Sequence, residues 1–178
     1  MELSDEIRIS APKQVVFDAL NDPEVLKQCI PGCQELIQNS PTELEAIVGL
    51  KIGALKANFK GAVTLDPSKA PDGFSLTGEG KGGSMGFAKG GADVTLEEDG
   101  DGTILRYTAK ADVGGKMAQL GARLLLGTAK KLSADFFKKF SAVTEEMVGA
   151  APTVDTQEVS PEKVGWFIRL IHALQFWK

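Results

Sequence analysis

Two cysteines, Cys29 and Cys33, are separated by Ile-Pro-Gly. The spacing is one residue longer than the redox C-x-x-C pattern, and Pro31-Gly32 marks a turn between them. The one histidine, His172, stands far away near the end of the chain, so a zinc site lacks ligands. The pair is assigned to packing. Gly78, Gly80 and Gly83 spell the letters of a dinucleotide fingerprint. That device needs a helix opening at the glycines, so that its N-terminus meets the pyrophosphate. Here the glycines sit between two alternating segments and are followed by Gly86, Gly90 and Gly91, which predicts a bulged or flexible hairpin. Residues 1–150 contain no histidine, so neither a Ser-His-Asp nor a Cys-His set can be assembled there. The carboxylates scatter over predicted wet faces, and nothing singles out an acid/base pair. No catalytic residue and no metal site is assigned, and the chain is not expected to be an enzyme.

The elements that would position any site follow from the hydrophobic periods. Leu3 to Ile9 alternates as a first strand. Ser10-Ala11-Pro12 opens a helix with Ser10 as its cap and Val15, Val16, Ala19 and Leu20 on its apolar face. Asn21-Asp22-Pro23 starts a second short helix that buries Val25 and Leu26. The period then becomes 2. Inward sets run Leu55, Ala57, Phe59, Gly61, Val63, Leu65, then Phe74, Leu76, Gly78, Gly80, then Ala88, Gly90, Ala92, Val94, Leu96, then Leu105, Tyr107, Ala109, Ala111, Val113. Six or seven strands joined by short loops predict an antiparallel sheet. A long helix is expected from Lys116 to about Met147, with Met117, Leu120, Gly121, Leu124, Thr128, Leu132, Phe136, Val143 and Met147 in one stripe. The fold class is α+β: a helix-grip arrangement, a curved antiparallel sheet wrapped around a long C-terminal helix.

The inward face carries many Gly and Ala where a close-packed core favours Leu, Ile, Val and Phe. Either the long helix approaches the sheet unusually closely, or the space is a cavity for an apolar guest. Both readings remain open at this level. The cavity candidates are Phe59, Phe74, Met85, Phe87, Tyr107, Met117, Leu120 and Leu124.

Residues 1–148 form the predicted domain, residues 149–160 a polar linker and residues 161–178 an amphipathic helix capped by Ser160 and Pro161. Trp166, Phe167, Leu170, Ile171, Leu174 and Trp177 give that helix a broad apolar face, with Arg169 and His172 on a narrow polar strip. Its apolar stretch is roughly 20 Å long, short of the ~30 Å hydrocarbon core, so it is expected to lie in the membrane interface. Docking on a partner protein and packing on its own domain are the alternatives. The net charge of -4 gives no basic footprint for nucleic acid. The acidic start of the chain lacks a signal-peptide pattern, and the expected location is the cytoplasm, peripheral on the inner face of the cytoplasmic membrane.

Several runs are similar to the family of the carbon monoxide dehydrogenase G subunit. They are Cys29-Ile-Pro-Gly-Cys33, Phe59-Lys-Gly61, Gly78-Glu-Gly-Lys-Gly-Gly83, Gly86-Phe-Ala-Lys-Gly90, Thr103-Ile-Leu-Arg-Tyr107, the stretch from Val113 to Gly121, and Phe136-Phe137. They occur in order over roughly residues 1–147. Ala54 departs from the proline often found there. The resemblance implies a START-like (SRPBCC) helix-grip fold with a hydrophobic cavity. It also implies a non-catalytic accessory protein that recruits a molybdenum hydroxylase of the carbon monoxide dehydrogenase type to the cytoplasmic membrane. Such a dehydrogenase passes electrons to quinone, so a quinone or other lipid-like ligand is the expected guest, with no covalently bound cofactor. Rival readings are an adaptor without ligand, a cofactor-maturation factor, and a polyketide-cyclase-like enzyme on the same fold. The inward set offers the last of these chiefly Tyr107.

Overall fold

A computed structural model describes residues 1–150. The linker from residue 151 on and the amphipathic tail helix, with Trp166, Phe167, Leu170, Ile171, Leu174 and Trp177, lie outside the described residues.

The order is β1 (Glu2–Ile9), α1 (Lys13–Leu20), α2 (Pro23–Cys29), β2 (Cys33–Ser40), β3 (Glu43–Ile52), β4 (Leu55–Asp66), β5 (Gly73–Lys81), β6 (Phe87–Asp99), β7 (Gly102–Gly114) and α3 (Ala122–Ala150). Short 3-10 turns at Gly83–Met85 and Gly115–Leu120 flank β6 and β7. The seven strands form one antiparallel sheet in the order β1-β7-β6-β5-β4-β3-β2, and β1 closes on β7. This is the predicted fold: a curved sheet around a long C-terminal helix.

Several local expectations are corrected. Ser10 does not cap α1; the N-cap position is Pro12, and no side chain bonds to the helix start. At α2 the sequence signal does act, because the Asp22 carboxylate accepts from the Glu24 N–H at 2.9 Å. Leu26 beside it is only half-buried, while Val25 is buried. The long helix begins at Ala122 rather than Lys116. Gly121 adopts φ +89°, a left-handed value that ends the preceding 3-10 turn and resets the chain direction. Gly121 is therefore not part of the helix stripe. Leu55, read as inward, is exposed next to the β3–β4 turn.

The interior separates into two clusters. The larger holds Ile9, Val16, Leu65, Phe74, Val94, Leu96, Leu105, Tyr107 and Phe140. Phe140 is the first fully buried side chain of α3. Its ring stacks on Phe136 at 5.7 Å, Phe136 meets Phe137 edge-on at 5.0 Å, and Phe137 stacks on Tyr107 of β7 at 5.4 Å. This aromatic chain fastens the second half of α3 to the sheet. Thr103 is also fully buried, and its hydroxyl donates to the Ala11 carbonyl at 2.7 Å, tying β7 to the β1–α1 connection. Thr103→Val keeps the shape but leaves that carbonyl unpaired. An expected loss of about 1–3 kcal/mol is measurable by urea unfolding.

Candidate functional site

Cross-strand register assembles the small residues into a band. Ala46, Gly61, Gly80 and Ala88 lie side by side across β3 to β6. Gly78, Gly90 and Ala111 form the next row, and Ala92 and Ala109 the next. All are on the face that carries Phe59, Phe74 and Tyr107. The band therefore runs across the middle of the concave face. On one side of it is the large cluster. On the other is a small cluster of Ile52, Phe59 and Met117, with Met85, Leu120, Val113 and Leu125 packed against it.

Close approach of the helix does not explain the band. A Cβ at Gly80 would meet no described atom within 4 Å. One at Gly61 would meet only two carbonyl oxygens of neighbouring strands, at 3.7 and 4.0 Å. From Ala122 to Lys139 no α3 side chain is fully buried. Small side chains under a loosely packed half-helix leave space. A cleft of about 400 Å³ opens where β7 meets the start of α3, lined by Ala111, Val113, Ala118, Ala122, Leu125 and Leu126 together with Met1, Glu2 and Asp112. Its walls are mostly carbon, and Ala111 belongs to the band. A hollow of about 490 Å³ on the convex face is lined by the charged Glu79, Lys89 and Asp112 with Thr64, Thr77, Ala62, Gly78 and Gly90, a surface unsuited to an apolar guest.

The eight cavity candidates do not form one patch. Phe74 and Tyr107 belong to the large cluster. Phe59 and Met117 are buried in the small cluster, with Met85 and Leu120 against it. Phe87 and Leu124 are surface residues, 38% and 40% exposed. Phe87 lies over Gly114 on the convex side, because one more residue in a strand turns the side chain through the sheet. Sequence reading missed Val113, Ala118, Ala122, Leu125 and Leu126 as lining residues. Their signal was present only as alternation and helix phase, and the glycine break at Gly121 shifted that phase.

Groups that could do chemistry are sparse. Cys29 is fully buried in the large cluster, and burial pushes its thiol pKa up, with Lys139 pulling weakly the other way. That is the setting of an inert packing thiol. The Cys33 thiol donates to the Glu35 carbonyl at 3.4 Å, and the two cysteines are not bonded to each other. Among the described residues no three His, Cys, Asp or Glu side chains converge as a metal site would require. The Gly78–Gly83 run leads from β5 into a three-residue 3-10 turn and then β6, so no α-helix opens at it.

Residues 6–144 match the family of the carbon monoxide dehydrogenase G subunit (CoxG). The chain belongs to the CoxG family. A conserved protein from Geobacillus kaustophilus is similar to this CoxG-family chain at 31% identity, covering 82% of this chain and 96% of its own, with a TM-score of 0.77. At the level of fold alone, the chain is similar to the ZhuI aromatase/cyclase from Streptomyces sp. R1128 (12% identity, TM-score 0.65, 85% and 97% covered). The same holds for a START superfamily protein from Mycobacterium smegmatis (14% identity, TM-score 0.64, 82% and 98% covered). No curated protein sequence matches the chain. The CoxG family and the START-like fold together point to a ligand-binding accessory role.

Proposed function

We propose that this CoxG-family protein is a non-catalytic accessory subunit. It recruits a molybdenum hydroxylase of the carbon monoxide dehydrogenase type to the cytoplasmic face of the membrane. It holds an apolar guest, a quinone or similar lipid, between the small-residue band and α3, and so aids electron transfer to the respiratory chain. The tail helix of residues 161–178 serves as the tether in this reading. The observation that carries it is the unfilled band at Gly61 and Gly80 beneath a half-helix that buries nothing completely. A planar, largely apolar guest suits a carbon-lined slot that offers few polar groups to orient it.

Gly80→Leu tests this directly. Gly80 has no positive φ and nothing within 4 Å of its would-be Cβ, so the larger side chain has room and relieves the entropic penalty of a strand glycine. Stability is expected to hold within about 1 kcal/mol, while the amount of co-purified lipid falls at least about tenfold, since a filled slot excludes its guest. Mass spectrometry of organic extracts from both proteins reads the result. An extract of the unaltered protein that repeatedly lacks any quinone or lipid defeats the carrier reading and leaves a ligand-free adaptor.

A further inference from the structure

One end of the domain has an unusual surface. The β3–β4 turn, the 3-10 turn Gly83–Met85, the 3-10 segment Gly115–Leu120 and the first turn of α3 meet there around the small cluster. Would-be Cβ atoms report the closeness: one at Gly53 would sit 3.4 Å from Leu124, and one at Gly115 would sit 2.6 Å from Gly86. Three of the seven exposed large apolar side chains among the described residues, Leu55, Phe87 and Leu124, stand at this end. Around them cations predominate, and carboxylates enter only at the edge, where Glu79 and Asp112 stand opposite Lys89 in the strand register. Residues 46–61, 80–92 and 113–124 contain seven cations (Lys51, Lys56, Lys60, Lys81, Lys89, Lys116 and Arg123) and no carboxylate. All seven are exposed. The rest of residues 1–150 carries ten cations against twenty-one carboxylates.

Pairing separates the two regions further. Of the ten cations on the remaining surface, six (Arg8, Lys13, Lys69, Arg106, Lys110 and Lys131) have a carboxylate partner. Among the described residues only Lys81 of the seven has one, Glu79 at 3.7 Å. Unpaired lysines around protruding apolar side chains suit an anionic, oil-backed surface. Each cation near such a surface contributes about 1 kcal/mol, and apolar tips add their own burial.

The structure assigns this end as a bilayer-docking face, with Leu55, Phe87 and Leu124 in the interface and the seven cations over anionic headgroups. It deepens the membrane part of the proposed function and rests on that reading. The cleft beside Ala118, Ala122 and Leu125 borders this face, so a lipid-like guest passes between bilayer and band without crossing water.

The full chain is the material for the test, sedimented with phosphatidylcholine vesicles with and without phosphatidylglycerol. Combined Lys51→Glu, Lys56→Glu, Lys116→Glu and Arg123→Glu changes are expected to weaken binding to the anionic vesicles at least about tenfold and to flatten its salt dependence. These side chains are exposed, so melting temperature checks that folding is intact. An environment-sensitive dye on Leu55→Cys, in a Cys33→Ser background, should shift to the blue on anionic vesicles, while the same dye on Thr77→Cys should not. Unchanged sedimentation with no shift at position 55 overturns the proposal and leaves the tail as the sole tether. Retained vesicle binding with lost capture of the dehydrogenase also overturns it, in favour of protein docking. Either failure leaves the guest reading intact, because extracted lipid is measured separately.

Discussion

Phe140→Ala is expected to remove about 3–5 kcal/mol of stability, the largest effect of any single truncation argued from this interior. Phe140 is fully buried and stacks on Phe136, and through Phe136 and Phe137 the stack reaches Tyr107 on the sheet. It is where α3 first becomes completely enclosed, so its loss leaves a cavity and also loosens the helix from β7. For a domain of this size the midpoint of thermal unfolding should fall by roughly 10 °C. Urea denaturation with an unchanged m-value should report the same loss. A shift of only a degree or two would mean that α3 is held by something other than this aromatic chain. The second half of the helix would then not be the anchor that lets its first half stand away from the band.

Gly86→Val should be nearly as damaging, for a backbone reason. Gly86 has φ +105°, and a Cβ there would sit 2.1 Å from the Gly114 carbonyl oxygen and 2.9 Å from the Gly115 Cα. Gly115 itself has φ +74° and faces Gly86. The two 3-10 turns touch across this glycine pair, and neither backbone can retreat as a flexible side chain would. The strain of the left-handed conformation is on the order of 1–3 kcal/mol, with the clash added to it, so a total near 3 kcal/mol is expected. The damage should be local. Hydrogen exchange should quicken over residues 82–88 and 113–121, around Phe59 and Met117, while amides of β7 near Leu105 stay protected. Uniform loss of protection across the sheet would contradict the division of the interior into two clusters.

Surface ion pairs predict little by comparison. Arg106 reaches both Glu6 and Glu97 at 2.5 Å across β1, β7 and β6. These groups are about half exposed, and such pairs contribute modestly.

The strands were legible because a one-sided sheet imposes a period of 2, and Ala57-x-Phe59-x-Gly61-x-Val63-x-Leu65 obeys it from end to end. The hairpin at Asp99-Gly100-Asp101-Gly102 was legible because its glycine must turn left-handed, and Gly100 has φ +62°. The start of α3 was misread because Lys116–Leu120 has helical spacing, and a 3-10 turn shares much of it. Only the left-handed Gly121 separates the two. Leu55 was misread because alternation does not say where a strand leaves the shelter of its neighbours, and Phe87 was misread against the alternation, since an inward Ala88 turns Phe87 to the other face. The candidate slot was half-legible: the small residues were plain in the sequence, but a helix pressed on them and a gap above them produce the same letters.

The amino-acid sequence by itself determined the class of fold, the apolar face of β4 to β7, the family and the absence of any histidine from residues 1–150. These follow from local periods and residue types, which act over a few positions. The tertiary structure alone decided that the band is open at Gly61 and Gly80 rather than under a close helix, while Gly78 and Gly90 are crowded by the neighbouring strands' backbone. It also brought Leu55, Phe87 and Leu124 to one end amid cations of which only Lys81 has a carboxylate partner among the described residues. Both depend on distances between segments thirty or more residues apart, and those are set by cross-strand register and by where α3 is pinned.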